Sequence, residues 1–177
     1  MFKVLDKVCT PQRGTKHSAY VDLFAREDVE MWAGETNIVP LGVKIDPNFF
    51  IYEIAGVNID TDGTVKDGNS NKVEEFLKSH YLEVALRSSL AVKGLIIPNG
   101  IGIVDLDYSG EISLILHKPM NIGTVYSLQQ DNDPSCTKIK RGDKVCQCTL
   151  KEHKGYLMGY DSDVVRDGGF GSTGEKA

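Results

Sequence analysis

Arg87-Ser88-Ser89 sets a guanidinium beside two hydroxyls. That tripeptide is a compact phosphate grip, since arginine forms paired charge-assisted hydrogen bonds and serine adds neutral donors. A capped helix start with a surface arginine is the plainer reading of the same residues. Further on, Asn99-Gly-Ile-Gly-Ile-Val-Asp-Leu-Asp-Tyr-Ser-Gly-Glu brings an amide, carboxylates at Asp105 and Asp107, and a flat ring at Tyr108. An asparagine at a hairpin tip can read a base edge through its donor and acceptor. A nearby carboxylate can orient or deprotonate a water. Read by itself, the stretch is equally a polar turn between strands, with Gly100 and Gly102 allowing close backbone approach.

Two more segments offer anion contacts. Gly142-Asp143-Lys144 opens a strand that reaches Gln147, a further neutral donor. Gly168-Gly-Phe-Gly-Ser-Thr-Gly is glycine-rich, but no strand precedes it and no lysine follows as a Walker A loop requires. A tail that folds over a bound nucleotide fits better, with Phe170 stacking and Ser172 and Thr173 touching phosphate.

The elements that must position these residues read mostly as short strands. Residues 36–45, 81–86, 95–97, 101–105, 111–117 and 144–150 are β-branched or alternating, with Gly, Pro, Asn or Asp between them. Pro40 predicts an edge or bulged strand. Residues 71–80 have helical character, with Val73, Phe76, Leu77 and His80 on one face. Before them, 56–69 is a polar Gly/Asp excursion. Asn71 stands where a calcium loop begun at Asp60 would need a glutamate, so a turn-rich hairpin is expected instead. The last dozen residues hold four glycines and one aromatic, and read as a mobile arm.

Composition bounds the function. The chain has 177 residues, 20 Lys+Arg against 25 Asp+Glu, and a net charge of -5. That balance argues against general attraction to nucleic acid or anionic lipid, and leaves room for an anionic ligand held by a few placed cations. No leader or membrane-length apolar run is visible, and cysteines 9, 136, 146 and 148 form no CxxC pair. Buried reduced thiols in a single-domain cytoplasmic protein are the expectation.

The order of the segments adds what none carries singly. SAYVDLFA from Ser18, RSSLA, IVDLDYSGEI, RGDKVCQ and GGFGSTG together resemble the motif series of the trimeric dUTP pyrophosphatase (dUTPase) family. The resemblance runs from about residue 16 to residue 174. It implies a mainly β fold, a distorted jelly-roll barrel over 1–165 with a glycine-rich arm over 166–177. It further implies a homotrimer with sites between subunits, and Mg2+-assisted hydrolysis of dUTP to dUMP and pyrophosphate. By the same resemblance Asp105 positions the attacking water and Tyr108 packs under deoxyribose. Arg87, Ser88, Ser89 and Gln147 would hold phosphate, and Asn99 with its hairpin would read uracil. Phe170 would stack on the base, Ser172 and Thr173 would reach the terminal phosphates, and Asp22 would meet the metal through water.

The chain also departs from that pattern. Tyr20-Val21 stand where the family has Gly-Tyr, and the arginine expected at 165 is replaced by valine, leaving Arg166 as the nearest cation. The region about 50–80 reads as an insertion, a possible surface for a protein partner in a regulatory relative. A second enlargement is read at about 118–137. The related dCTP deaminases share an RSSLA-like motif, yet Ile115 occupies the position of their proton-shuttling glutamate, and Leu106-Asp107 replace their Pro-Gly. Deamination is therefore not expected.

Overall fold

A computed structural model of the chain describes residues 1–54, 58–59, 65–66, 70–120 and 136–159. The arm residues Arg166, Phe170, Ser172 and Thr173 lie outside these, as do Asp60, Asp62 and Asp67.

Short alternating segments fold as antiparallel strands. From the N-terminus these are β1 (Phe2–Val4), β2 (Gln12–Arg13), β3 (Val21–Phe24), β4 (Val29–Trp32), β5 (Thr36–Pro40) and β6 (Val43–Ile45). Helix α1 (Pro47–Glu53) follows, with the Asp46 carboxylate accepting from the Asn48 N–H at 3.1 Å as its cap. The small hairpin β7 (Asn58–Ile59) and β8 (Val65–Lys66) precedes α2 (Ser70–Ser79). Then come β9 (His80–Leu86), α3 (Ser88–Ala91), β10 (Gly102–Asp105), β11 (Ser113–His117), β12 (Cys136–Ile139) and β13 (Lys144–Glu152). The fold is mainly β and jelly-roll-like.

The central sheet has the order β10-β9-β13-β3-β2, and the pairs β1-β6, β11-β5 and β12-β4 complete the layers. One face of the central sheet is apolar. Leu82 and Val84 of β9, Leu23 of β3, and Cys146 and Cys148 of β13 are all buried there. They join Met31, Val39, Leu41, Leu114, Leu116 and Ile139 in one core. Burial pushes the Cys148 thiol up to about 12 and Cys146 well above its ordinary value, so both are neutral and behave as small apolar groups.

Several expectations are adjusted by turn chemistry. The span 36–45 divides into β5 and β6, because Leu41-Gly42 turns between them with Gly42 at φ +63. Residues 95–97 contribute only a single bridge, Ile96 to His117, while β10 ends at Asp105 and Asp107 lies in the turn that follows. The predicted helix over 71–80 occupies Ser70–Ser79. Among the described residues, no helix is long and apolar enough to cross a membrane.

Gly42 also fixes the N-terminal packing. A Cβ built there would meet Cys9 Sγ at 2.6 Å, and Cys9 is fully buried. The Gly42 N–H donates to Glu111 Oε1 at 2.8 Å, which ties the β5–β6 turn to the chain after Tyr108. Gly42→Ala is expected to cost about 2–4 kcal/mol, from left-handed strain plus the clash. Denaturant unfolding of the two proteins measures this, and an unchanged midpoint would contradict it.

Candidate functional site

Alternation sorts the central sheet's other face into rows. Register places Asp22 opposite Gln147 and Gln147 opposite Ala85, which makes one row. Two residues along, Thr149, Glu83 and Ile103 form the next, and Lys151, Tyr81 and Asp105 the third. A bulge decides which side chains reach the first row. The register shifts between Lys144 and Cys146, so Val145 and Cys146 both turn inward and Gln147 turns outward beside Asp22. The β9–β13 ladder continues one pair beyond Leu86, where the Arg87 N–H donates to the Val145 carbonyl at 3.3 Å. Bulge and regular ladder together align Arg87, Gln147 and Asp22.

Asp22 is 8% exposed, which makes it one of the few buried charged groups among the described residues. Its carboxylate meets Arg87 Nη1 at 2.5 Å and Lys144 Nζ at 3.0 Å. Two cations against one anion leave the cluster with an excess positive charge. Arg87 Nη1 is a buried atom, held by that ion pair. The charge that Asp22 leaves unbalanced attracts an arriving oxyanion. These groups open on a cavity of about 300 Å3 lined by Gly14, Ser18, Ala19, Tyr20, Asp22, Arg87 and Gln147. The size and sign suit a chain of phosphates.

Of the residues singled out in the sequence, Asp22, Arg87 and Gln147 are brought together here. Ser88 and Ser89 start α3 next to Arg87 and are exposed. The capped-start reading of this tripeptide therefore holds in part: Arg87 is the N-cap residue, without a side-chain cap. Asn99 is exposed in the turn before Gly100, which has φ +81. Tyr108 packs its ring over Gly110, where a Cβ would meet its hydroxyl at 2.4 Å, and donates to the Glu111 carbonyl at 3.4 Å. Gly14 lines the cavity and Lys144 pairs with Asp22, neither having been picked out as a site residue. Lys144 was legible only as a strand opener, because its partner Asp22 is 122 positions away.

Asp105 is not part of this cluster. It pairs in register with Tyr81, six residues from Arg87 along β9 and its extension. At strand rise that separates the two by about 20 Å. One copy of the chain therefore keeps the phosphate-side cluster and the Asp105–Tyr108 segment apart.

No protein-family model matches the chain. It is 29% identical over 171 residues to the deoxyuridine 5'-triphosphate nucleotidohydrolase of Rickettsia akari, covering 93% of this chain and 87% of that protein. Its fold is similar to a dUTPase from Streptococcus mutans, with TM-score 0.56 and 22% identity over 85% of this chain and 94% of the other. It is also similar to a mutant dUTPase from phage phi11 of Staphylococcus aureus, with TM-score 0.58 and 15% identity over 97% of each chain. A structural Mg(II) ion is coordinated in that phage enzyme.

Removing the central carboxylate would leave Arg87 and Lys144 facing each other with no counter-charge. Asp22→Asn is expected to lower stability by about 1–3 kcal/mol, because the pair is only partly screened by solvent. Urea unfolding at low salt measures the loss. An equally stable variant would show that Asp22 does not organise the cluster.

Proposed function

We infer that this chain, a member of the dUTP nucleotidohydrolase family, hydrolyses dUTP to dUMP and pyrophosphate. The observation that carries the reading is the cavity of Asp22, Arg87 and Gln147, where Arg87 and Lys144 bring two positive charges and Asp22 balances one. In this account phosphate oxygens supply the missing counter-charge. Arg87 takes the charge that builds as water attacks the α-phosphorus, and Gln147, Ser88 and Ser89 add neutral donors. Asp105 orients and deprotonates the water. Tyr108 lies beneath the sugar, where a 2'-hydroxyl would clash, and Asn99 with the hairpin around Gly100–Asp105 reads uracil.

The two halves must come from different copies. Arg87 and Asp105 of one chain are too far apart to act on one phosphorus, so Asp105 of one subunit serves the Arg87 cluster of another. A homotrimer with sites between subunits meets that need. Within each subunit the barrel domain spans 1–165. The glycine-rich arm 166–177 closes the site, bringing Phe170 onto the base and Arg166, Ser172 and Thr173 to the phosphates.

Mg2+ fits this donor set as an ion held chiefly by phosphate oxygens and water. Asp22 is already engaged by two cations, so it reaches the ion through water, and no group of three His, Cys, Asp or Glu gathers among the described residues. When bound, the ion supplies further compensation for charge on the phosphate oxygens. The four cysteines are free, which fits action in the reducing cytoplasm.

Pyrophosphate release from dUTP, dTTP, dCTP and UTP, with and without Mg2+, tests the reading. Mg2+-dependent hydrolysis of dUTP above the other three is expected. Asp105→Asn is expected to lose about 100-fold or more in kcat with little change in unfolding midpoint. Wild-type turnover by Asp105→Asn would remove Asp105 from the mechanism, and ammonia release from dCTP would favour a deaminase.

A further inference from the structure

The middle row of the outward sheet face carries a carboxylate for which the reaction has no use. Glu83 lies on β9, its side chain only 15% exposed, one row from Gln147. Two residues of strand separate the rows, a spacing of about 7 Å. The Tyr20 hydroxyl donates to Glu83 Oε1 at 2.5 Å, and the Tyr81 hydroxyl donates to Oε2 at 3.2 Å. Lys151 Nζ stands farther off, at 4.0 Å. The Tyr20 hydrogen bond, opposed in part by burial, holds the Glu83 carboxyl below its ordinary range. Glu83 is therefore ionised at neutral pH, and its bond to Tyr20 weakens only on acidification through that lowered range.

An ionised carboxylate beside a phosphate cavity is a liability, because it repels the anion that the Arg87 cluster attracts. Tyr20 lines that cavity and Glu83 does not. The same tyrosine also anchors the 14–20 segment, whose Gly14 and Ser18 form more of the wall and whose Thr15 N–H donates to Ser18 Oγ at 2.8 Å. We propose that Tyr20 is a positioning residue for the phosphate chain, its ring walling the cavity and its hydroxyl sequestering Glu83 from the bound anion. This assignment rests on the reading of the cavity as a phosphate site.

The discriminating variant is Tyr20→Phe, which keeps the ring and removes the donor. Two quantities are measured: steady-state kinetics with dUTP, and calorimetric binding of inorganic triphosphate to the assembled protein. KM and the triphosphate Kd are expected to rise about tenfold, the scale of one hydrogen bond to a charged group, with kcat within about twofold. The double variant Tyr20→Phe/Glu83→Gln is expected to return both toward wild type, because a neutral amide at 83 no longer repels phosphate. A merely structural tyrosine would give no such rescue. Unchanged triphosphate affinity in Tyr20→Phe, or a double variant as weak as the single one, overturns the proposal. Failure of the wild type to hydrolyse dUTP would overturn the parent reading instead, and triphosphate binding would still decide the role of Tyr20.

Discussion

The site depends on one buried carboxylate held between two cations. Asp22 meets the Arg87 guanidinium with one carboxylate oxygen and the Lys144 ammonium with the other, and balances only one of the two charges. Desolvation makes such an arrangement costly unless something compensates. The compensation is split between the folded chain and an anion yet to arrive. The carboxylate keeps the cations in place, while the surplus charge attracts a ligand of opposite sign. A cluster with its charges fully paired would be more comfortable and would bind phosphate less well.

The fold supports this cluster through backbone irregularity. The bulge at Val145 turns Gln147 outward beside Asp22, and the β9–β13 ladder carries the Arg87 N–H onto the Val145 carbonyl. On the opposite face, uninterrupted alternation buries Leu82, Val84 and Cys148 and leaves the outer rows for polar work. Stability and binding are thus divided between the two faces of one sheet. The overall charge of -5 had little bearing on the ligand, because three placed groups set the local field.

The parts most legible in the sequence were those with strong local pattern. Residues 81–86 and 144–150 alternate cleanly and form β9 and β13, and the polar excursion at 56–69 does contain a small hairpin. Less legible were β1, β3, β4 and β12, which are too short to establish a period, and α1. There the Asp46-Pro47 start signal was present, but the aromatic run Phe49-Phe50-Ile51-Tyr52 has strand propensity. The gathering of Asp22, Arg87 and Gln147 was not readable from spacing, since it arises from pairing among β3, β9 and β13 and from a single-residue bulge. Motif order carried what local pattern did not. It also grouped Asp105 with Arg87, and register then places them at opposite ends of β9.

That separation makes the central claim directly measurable: a working site takes Arg87 from one subunit and Asp105 from another. Arg87→Ala and Asp105→Asn proteins, each inactive alone, can be unfolded together, refolded as a mixture and assayed for pyrophosphate release from dUTP. The account predicts that activity returns, because mixed assemblies contain sites with both residues intact. If mixed assemblies form, as verified by differential mass labelling, and the mixture stays inactive, both residues must come from one chain and the account is contradicted.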